Sequence, residues 1–184
     1  CDIAGMRDGT IEADLSLRDL TVNAMAFAYT TASATPTLID TVGGQIDLEH
    51  KLLRRVSAMS MADDPVRLLR AVRLANQLNF KLETETEAQL RRLARTIQFV
   101  SPERVRDELW KLLLAPQPHR GINMLYEVGL LAFVLPEIAA TVDVEQSFPH
   151  IYPVYEHTLN AVQDAALLRD WIMGDNTAAA NAAH

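Results

Sequence analysis

The sequence predicts a mostly α-helical protein in which a mixed α/β segment comes first and an all-helical body follows. Before Asp64, short apolar runs broken by glycine turn signals are typical of short strands and brief helices. After Asp64, helical periodicity alternates with short breakers. The helices expected in this body cover residues 65–79, 84–95, 102–114, 119–129 and 153–170.

The N-terminal segment is the part where strands are expected. An Asp-Gly turn signal among short apolar pairs indicates the end of a sheet, and Gly43-Gly44 indicates a tight turn. No β structure is expected beyond this segment. In chain order we expect the end of a sheet at 1–15, a helix at 15–29, a loop at 30–36, a strand at 37–40, a helix at 46–53 and a strand near 54–56.

Two helix starts carry explicit signals. Asp64 precedes Pro65, which predicts an N-cap followed by proline at the first helical position, and Asp63 complements the positive helix end. Ser101 before Pro102 gives a second start the same pattern.

The charge of the chain is unevenly distributed. The net charge is −7, with −6 in residues 1–50, +6 in residues 51–120 and −7 in residues 121–184. A basic middle between acidic ends is the electrostatic footprint expected of a phosphate-binding surface, although the isoelectric point of the whole chain is acidic.

Composition narrows the class of protein. A single cysteine, Cys1, excludes an internal disulfide framework and fits a reducing compartment. No apolar run reaches the roughly 18 to 20 residues of a membrane span, so no membrane partner is expected. The chain begins in mid-pattern and is interpreted as an internal piece of a longer protein.

Three arginines follow the helix start at Asp64. Arg67, Arg70 and Arg73 recur at three-residue spacing beside an apolar stripe. Like charges this close repel each other unless an anion lies across them. A merely solvated face is therefore less favoured than a phosphate or nucleotide contact.

Two further stretches stand out. In residues 17–26 (LRDLTVNAMA), Arg18, Asp19 and Asn23 interrupt an apolar helical pattern, and they form either a structural polar cluster or a set of ligand contacts. In residues 38–48, paired glycines between two acids indicate a turn more than a hinge.

Four stretches, in this order, resemble motifs of one family. Residues 17–26, 39–48, 63–75 and 101–113 are similar to motifs of the bacterial class II tRNA nucleotidyltransferases (CCA-adding enzymes) and poly(A) polymerases, which are polymerase-beta-like nucleotidyltransferases. The resemblance implies that the α/β segment is the C-terminal part of the nucleotidyltransferase head and that the helices form the neck and body. It divides the chain into head (1–60), nucleotide-selecting and RNA-binding neck and body (61–135), and the start of an HD-type domain (136–184).

The resemblance also implies site residues and substrates. Asp64 and Arg67 would read the incoming base of CTP or ATP as a protein template, during CCA addition to the 3′ end of a tRNA in the cytoplasm. The family usually has Glu where this chain has Asp63, which would support that pair. The other implied nucleotide-binding residues are Arg18, Arg70 and Arg73, with Asp19 and Asn23 shaping the sugar pocket.

Catalysis is expected from residues outside this sequence. The family attacks the α-phosphate with two Mg²⁺ ions held by an Asp-x-Asp pair, and this chain contains no Asp-x-Asp. The catalytic aspartates are therefore expected upstream of Cys1, and the chain alone is expected to be inactive. The oligomeric state is left open.

Residues 148–159 resemble the opening of an HD-type phosphohydrolase domain. His157 matches the first metal ligand of that domain, but no His-Asp dipeptide occurs in the chain, so His157 is a weak candidate and no metal site is expected here. The alternatives are a poly(A) polymerase of the same family, a non-catalytic RNA-binding helical module, and a phosphohydrolase built on the HD unit.

Overall fold

The computed structural model describes residues 9–29, 35–147 and 152–174, and this part of the chain is mostly helical. Strands are short and lie mainly before residue 54, which confirms the predicted fold class. The helices are α1 (Ile11–Ser16), α2 (Gly44–Glu49), α3 (Val66–Leu78), α4 (Thr84–Leu93), α5 (Pro102–Leu113), α6 (Pro118–Glu127), α7 (Leu131–Val134), α8 (Pro136–Ala139) and α9 (Val154–Ile172). The strands are β1 (Met25–Ala28), β2 (Thr37–Asp40), β3 (Leu52–Leu53) and β4 (Lys81–Leu82).

The helix predicted over residues 15–29 is wrong. The chain leaves α1 after Ser16, makes a 3₁₀ turn at Thr21–Asn23 and enters β1, which pairs antiparallel with β2. The β1 sequence MAFA contains no β-branched residue, so its strand conformation comes from its partner strand and not from local propensity. The interpretation of residues 1–15 as the end of a sheet is also wrong for 11–15, which belong to α1, while 1–8 lie outside the described residues.

The strand predicted at 37–40 is confirmed. The helix predicted at 46–53 is present but ends at Glu49, and the strand expected near 54–56 lies earlier, at Leu52–Leu53. The expectation that β structure stops there is wrong, because β4 pairs parallel with β3 after α3 has intervened. Asn79 ends α3 in the left-handed conformation, with a φ of 53°, and lets the chain turn back alongside β3.

The turn before α2 is tightly built. Asp40 accepts hydrogen bonds from the backbone N–H groups of Gly44 at 2.8 Å and Gln45 at 2.9 Å. Gly43 adopts a φ of 79°, and a Cβ on Gly44 would lie 2.2 Å from the carbonyl oxygen of Thr21. The glycine pair therefore makes the predicted turn and lets α2 pack directly on the Thr21–Asn23 turn.

All five helices predicted for the body are present as α3, α4, α5, α6 and α9. The predicted segment 84–95 is longer in the structure, because α4 continues as a 3₁₀ helix at Ala94–Phe99. The short helices α7 and α8 were not predicted, since four residues are too few to display helical periodicity.

The core of the body forms around α3, which packs against α5 and α6. The apolar stripe of α3 is buried, as its spacing predicts, while its arginines line the adjacent face. The fully buried side chains at this centre are Leu68, Leu69, Val72, Ala75, Leu112, Ile122 and Leu125. Within the described residues, no helix combines the length and apolar character that crossing a membrane requires.

Candidate functional site

The start of α3 differs by one residue from its prediction. The helix begins at Val66 with Pro65 at the N-cap position, so Asp64 is not the capping residue in the structure. Instead, the backbone carbonyl of Asp64 accepts a hydrogen bond from the N–H of Arg67 at 3.0 Å. The Asp64 carboxylate accepts from the backbone N–H of Val66 and also has a side-chain partner.

That partner is Arg104, in the first turn of α5. Its Nη2 donates to Oδ2 of Asp64 at 2.6 Å, and the two side chains are 51% and 31% exposed. The hydrogen bond from Arg104 holds the pKa of Asp64 below its usual value, and the backbone N–H of Val66 and the charge of Arg67 act in the same direction. Asp64 is therefore a carboxylate at neutral pH and can only accept hydrogen bonds.

Arg67 is held by backbone carbonyls, one from each side of the site. Its Nη1 donates to the carbonyl of Ser60 at 2.8 Å and its Nη2 to the carbonyl of Leu17 at 3.0 Å. These bonds fix the guanidinium plane and use two of its five N–H groups. The Arg67 side chain therefore connects α3 to the segments around Leu17 and Ser60, and three of its N–H groups remain.

Arg70 lies across two buried carboxylates. Its Nη1 donates to Oδ2 of Asp19 at 3.1 Å, and its Nε lies 3.8 Å from Oε1 of Glu108. Asp19 and Glu108 are 5% and 6% exposed. This bridge ties the N-terminal segment to α5 through α3.

Arg73 is paired inside the protein. Its Nε donates to Oε2 of Glu108 at 2.6 Å, its Nη1 donates to the side chain of Gln77, and the Arg73 side chain is only 14% exposed. The arginine row was expected to face an external anion. In the structure, carboxylates of the protein itself face Arg70 and Arg73. These carboxylates offset the repulsion between the arginines, so no ligand is needed to explain the row.

The polar cluster of residues 17–26 is assembled as a structural unit. Arg18 donates to Asp14 at 2.6 Å, and Asp19 accepts from the N–H of Leu20 at 2.9 Å. Asn23 donates to Asp19 at 3.4 Å, although Asn23 ends a 3₁₀ turn and Asp19 lies in the bend before it, so the two do not share the α-helix that the spacing predicted. Asp19 thereby connects Asn23 to Arg70.

The remaining candidates are peripheral to these contacts. Asp63 is exposed beside Asp64, and His157 is exposed in the first turns of α9. Residues 9–29, 35–147 and 152–174 bring together no group of three His, Cys, Asp or Glu side chains that could hold a metal ion. These residues do not fit a Mg²⁺ site, so the expectation that Mg²⁺ is held outside this chain stays a prediction, as does the role of His157.

Two residues that complete the site were not selected from the sequence. Arg104 and Glu108 lie on α5 and contact the residues of α3 that were selected. One signal was available for Arg104: a cation in the first turn of a helix opposes the helix dipole, and a nearby carboxylate offsets that unfavourable charge.

Two family models match the chain. The poly(A) polymerase head domain matches residues 4–54, and the model described as a probable RNA- and SrmB-binding site of polymerase A matches residues 79–141. The first match covers the mixed α/β segment, and the second covers most of the helical body.

Curated relatives belong to the same group. The chain is 39% identical to the A-adding tRNA nucleotidyltransferase of Deinococcus radiodurans over 88% of its own length. It is 39% identical to the multifunctional CCA protein of Pseudomonas aeruginosa over 85%, and 38% identical to the CC-adding tRNA nucleotidyltransferase of Thermus thermophilus over 84%. The chain spans only 36–39% of the length of these relatives.

Solved structures agree with this assignment. The Bacillus stearothermophilus CCA-adding enzyme in complex with CTP superposes with a TM-score of 0.65 at 31% identity, over 73% of this chain and 34% of that one. The Thermotoga maritima CCA-adding enzyme complexed with tRNA gives 0.66 at 29% identity, over 77% and 33%. The chain belongs to the family of bacterial tRNA nucleotidyltransferases and poly(A) polymerases.

Proposed function

We propose that the protein carrying this chain adds nucleotides to tRNA 3′ ends from CTP and ATP, and that Asp64 and Arg67 select the base. The observation that carries this proposal is the placement of a side chain that only accepts and one that only donates, three residues apart at the start of α3, each oriented by other protein groups. The names of the relatives, which include A-adding, CC-adding and CCA enzymes, support the reaction class.

Base selection follows from the direction of the hydrogen bonds. Cytosine presents an amine donor beside a ring-nitrogen acceptor, and adenine presents the same order, which matches a carboxylate beside a guanidinium. Uracil and guanine present the inverse order, and each would leave two unpaired polar groups at about 1 to 3 kcal/mol apiece. A single Asp64–Arg67 pair therefore accepts CTP and ATP and rejects UTP and GTP.

Both residues keep free hydrogen-bonding capacity while they hold their protein partners. A carboxylate has about four acceptor sites, and in Asp64 the side chain of Arg104 and the backbone N–H of Val66 occupy two of them. Arg67 donates two N–H groups to carbonyl oxygens and keeps three. Arg104 therefore orients Asp64, and the carbonyls of Ser60 and Leu17 orient Arg67. Both side chains keep hydrogen-bonding sites for a base.

The other nucleotide-binding assignments remain part of this proposal in modified form. Arg18, Arg70 and Arg73 were expected to contact the nucleotide, and each has a carboxylate partner within the protein. These contacts favour a supporting role in which Arg70 and Arg73 hold α3 in place. Asp19 and Asn23 lie beside Arg70, a position that fits the edge of a sugar pocket.

Identity does not distinguish which nucleotides the whole protein adds. An A-adding, a CCA and a CC-adding relative are all 38–39% identical to the chain. A poly(A) polymerase is the second candidate, since both matched family models are described by that enzyme. We also propose that the protein is cytoplasmic. We propose that the chain divides into head, body and HD-type units near residues 60 and 135. Residues outside this chain are proposed to hold Mg²⁺.

The test uses the intact natural protein and four RNA substrates: a tRNA ending before CCA, one ending in C, one ending in CC, and an unrelated RNA. Incorporation of C and then A on the first tRNA supports a CCA enzyme, A alone on the third supports an A-adding enzyme, and C alone supports a CC-adding enzyme. A long adenylate tail on the unrelated RNA identifies a poly(A) polymerase. The absence of all four products, with CTP and UTP bound equally, would leave a non-catalytic RNA-binding module.

A further inference from the structure

A buried amide on α4 holds the loop that leads into α3. Gln89 is 6% exposed, its Nε2 donates to the backbone carbonyl of Ala58 at 2.5 Å, and its Oε1 accepts from Nη1 of Arg55 at 2.7 Å. A carbonyl only accepts and a guanidinium only donates, so these two partners fix which way the amide points. The buried polar atoms of Gln89 are therefore satisfied by this loop.

Thr86, one turn earlier on α4, adds a second contact to the loop. Thr86 is fully buried, and its hydroxyl accepts from the backbone N–H of Arg55 at 3.0 Å and donates to Glu83 at 2.8 Å. The helix thus holds the loop at Arg55 and again at Ala58.

The loop closes on itself between Ser57 and Ser60, and we call this segment the 57–60 turn. Oγ of Ser57 accepts from the N–H of Ser60 at 3.2 Å, and Oγ of Ser60 accepts from the N–H of Ser57 at 2.8 Å. The N–H of Ser60 also donates to the carbonyl of Ser57 at 3.3 Å. Because Ser60 is buried and is held through both its backbone and its side chain, the orientation of its peptide group is fixed.

The 57–60 turn presents one carbonyl to the candidate site. The Ser60 carbonyl accepts from Nη1 of Arg67 at 2.8 Å, while the Leu17 carbonyl, which holds Nη2 at 3.0 Å, comes from the N-terminal segment. A guanidinium is planar, so two acceptors on different nitrogens set its plane. A shift of the Ser60 carbonyl would turn that plane, and hydrogen bonds from Arg67 to a base would weaken as they depart from linearity.

The connections of the 57–60 turn distinguish it from an ordinary loop. Turns closed by serine hydroxyls are common, and closure alone would indicate only local structure. Here α4 fixes the turn through Ala58, and the last residue of the turn contacts the guanidinium that is proposed to read the base. A path of hydrogen bonds joined by one short backbone segment therefore leads from Gln89 to Arg67.

We propose that Gln89 and Ser57 are positioning residues for base selection, and that they act on Arg67 through the Ser60 carbonyl. This inference rests on the proposed function and names groups that set the specificity of the same site. Both residues act through the turn and need no contact with the nucleotide. They should therefore alter the affinity for the base and not the affinity for the triphosphate.

The experiment measures the dissociation constants of CTP, UTP and inorganic tripolyphosphate with the intact natural protein and its variants. Gln89→Glu keeps the acceptor for Arg55 and replaces the donor to Ala58 by an oxygen, so the ratio of the UTP to the CTP dissociation constant should fall about tenfold. Ser57→Ala removes a hydroxyl at an exposed position and should lower this ratio about threefold, and Ser57→Thr should restore it. Tripolyphosphate affinity should stay unchanged in all three variants.

Leu90→Ala is the control for a general loss of stability. Leu90 is the neighbour of Gln89 on α4 and is fully buried, so this variant should lower the Tm and leave the nucleotide ratio at its natural value. A natural ratio in either Gln89→Glu or Ser57→Ala would overturn the inference, as would an equal fall in Leu90→Ala, a failure of Ser57→Thr to restore the ratio, or a parallel loss of tripolyphosphate affinity. A ratio of one in the natural protein would refute the proposed function and this inference together. A natural protein that prefers CTP, with variants that do so equally, would refute the inference alone.

Discussion

The carboxylate of Asp64 accepts a 2.6 Å hydrogen bond from Arg104, which lies 40 residues further along the chain. This contact joins the start of α3 to the start of α5 at the point where the base is proposed to be read. Because the pair is partly exposed, we expect it to add no more than about 1 kcal/mol to the free energy of unfolding. Its main consequence is the orientation of the Asp64 carboxylate.

The pH dependence of stability tests this contact. Since Arg104 lowers the pKa of Asp64 in the folded state, the stabilisation is fully present above the unfolded pKa of about 3.9 and is lost as the pH falls through the lower folded value. Arg104→Gln should therefore lower the urea midpoint at pH 7, and its difference from the natural protein should shrink below about pH 4. Arg106→Gln, which breaks a pair with the adjacent Asp107, is the control. A deficit of equal size from pH 3 to pH 7 would contradict the assignment.

Glu108 should be more important for stability than its surface neighbours. It is buried and accepts from Arg73, whose side chain is only 14% exposed, so Glu108→Ala leaves a largely buried cation without its carboxylate. We expect a loss of about 3 kcal/mol in the free energy of unfolding, measured by urea denaturation. Lys111→Gln removes an exposed partner of the same carboxylate and should cost less than about 1 kcal/mol. Equal losses for the two variants would show that the network is not buried in solution.

The two glycines before α2 should respond differently to substitution by alanine. In Gly44→Ala the new Cβ would lie 2.2 Å from the carbonyl oxygen of Thr21, so the turn must shift, at about 3 kcal/mol. In Gly43→Ala the methyl group meets open space, and only the positive φ is strained, at about 1 to 2 kcal/mol. Thermal denaturation should give the lower Tm for Gly44→Ala. The reverse order would mean that the turn is not packed on the 3₁₀ segment.

The helical body could be predicted from the sequence because its apolar positions follow the helical period. The strand β1 could not, because MAFA has no β-branched residue and pairs with residues 9 to 15 positions further along the chain. In the site, the start of α3 and its arginine row were visible as a local pattern. The carboxylates that face this row could not be predicted, because Asp19 and Glu108 lie 51 and 38 residues from Arg70 in the sequence.

The central claim is that Asp64 and Arg67 read the base, and the ratio of CTP to UTP affinity tests it most directly. The measurement compares the natural protein, Arg67→Ala and Arg106→Gln by equilibrium titration with both nucleotides. We predict a preference for CTP in the natural protein and in Arg106→Gln, and nearly equal affinities in Arg67→Ala, with triphosphate binding retained. A preference for CTP that survives Arg67→Ala, or a uniform loss of affinity for both nucleotides, would contradict the account.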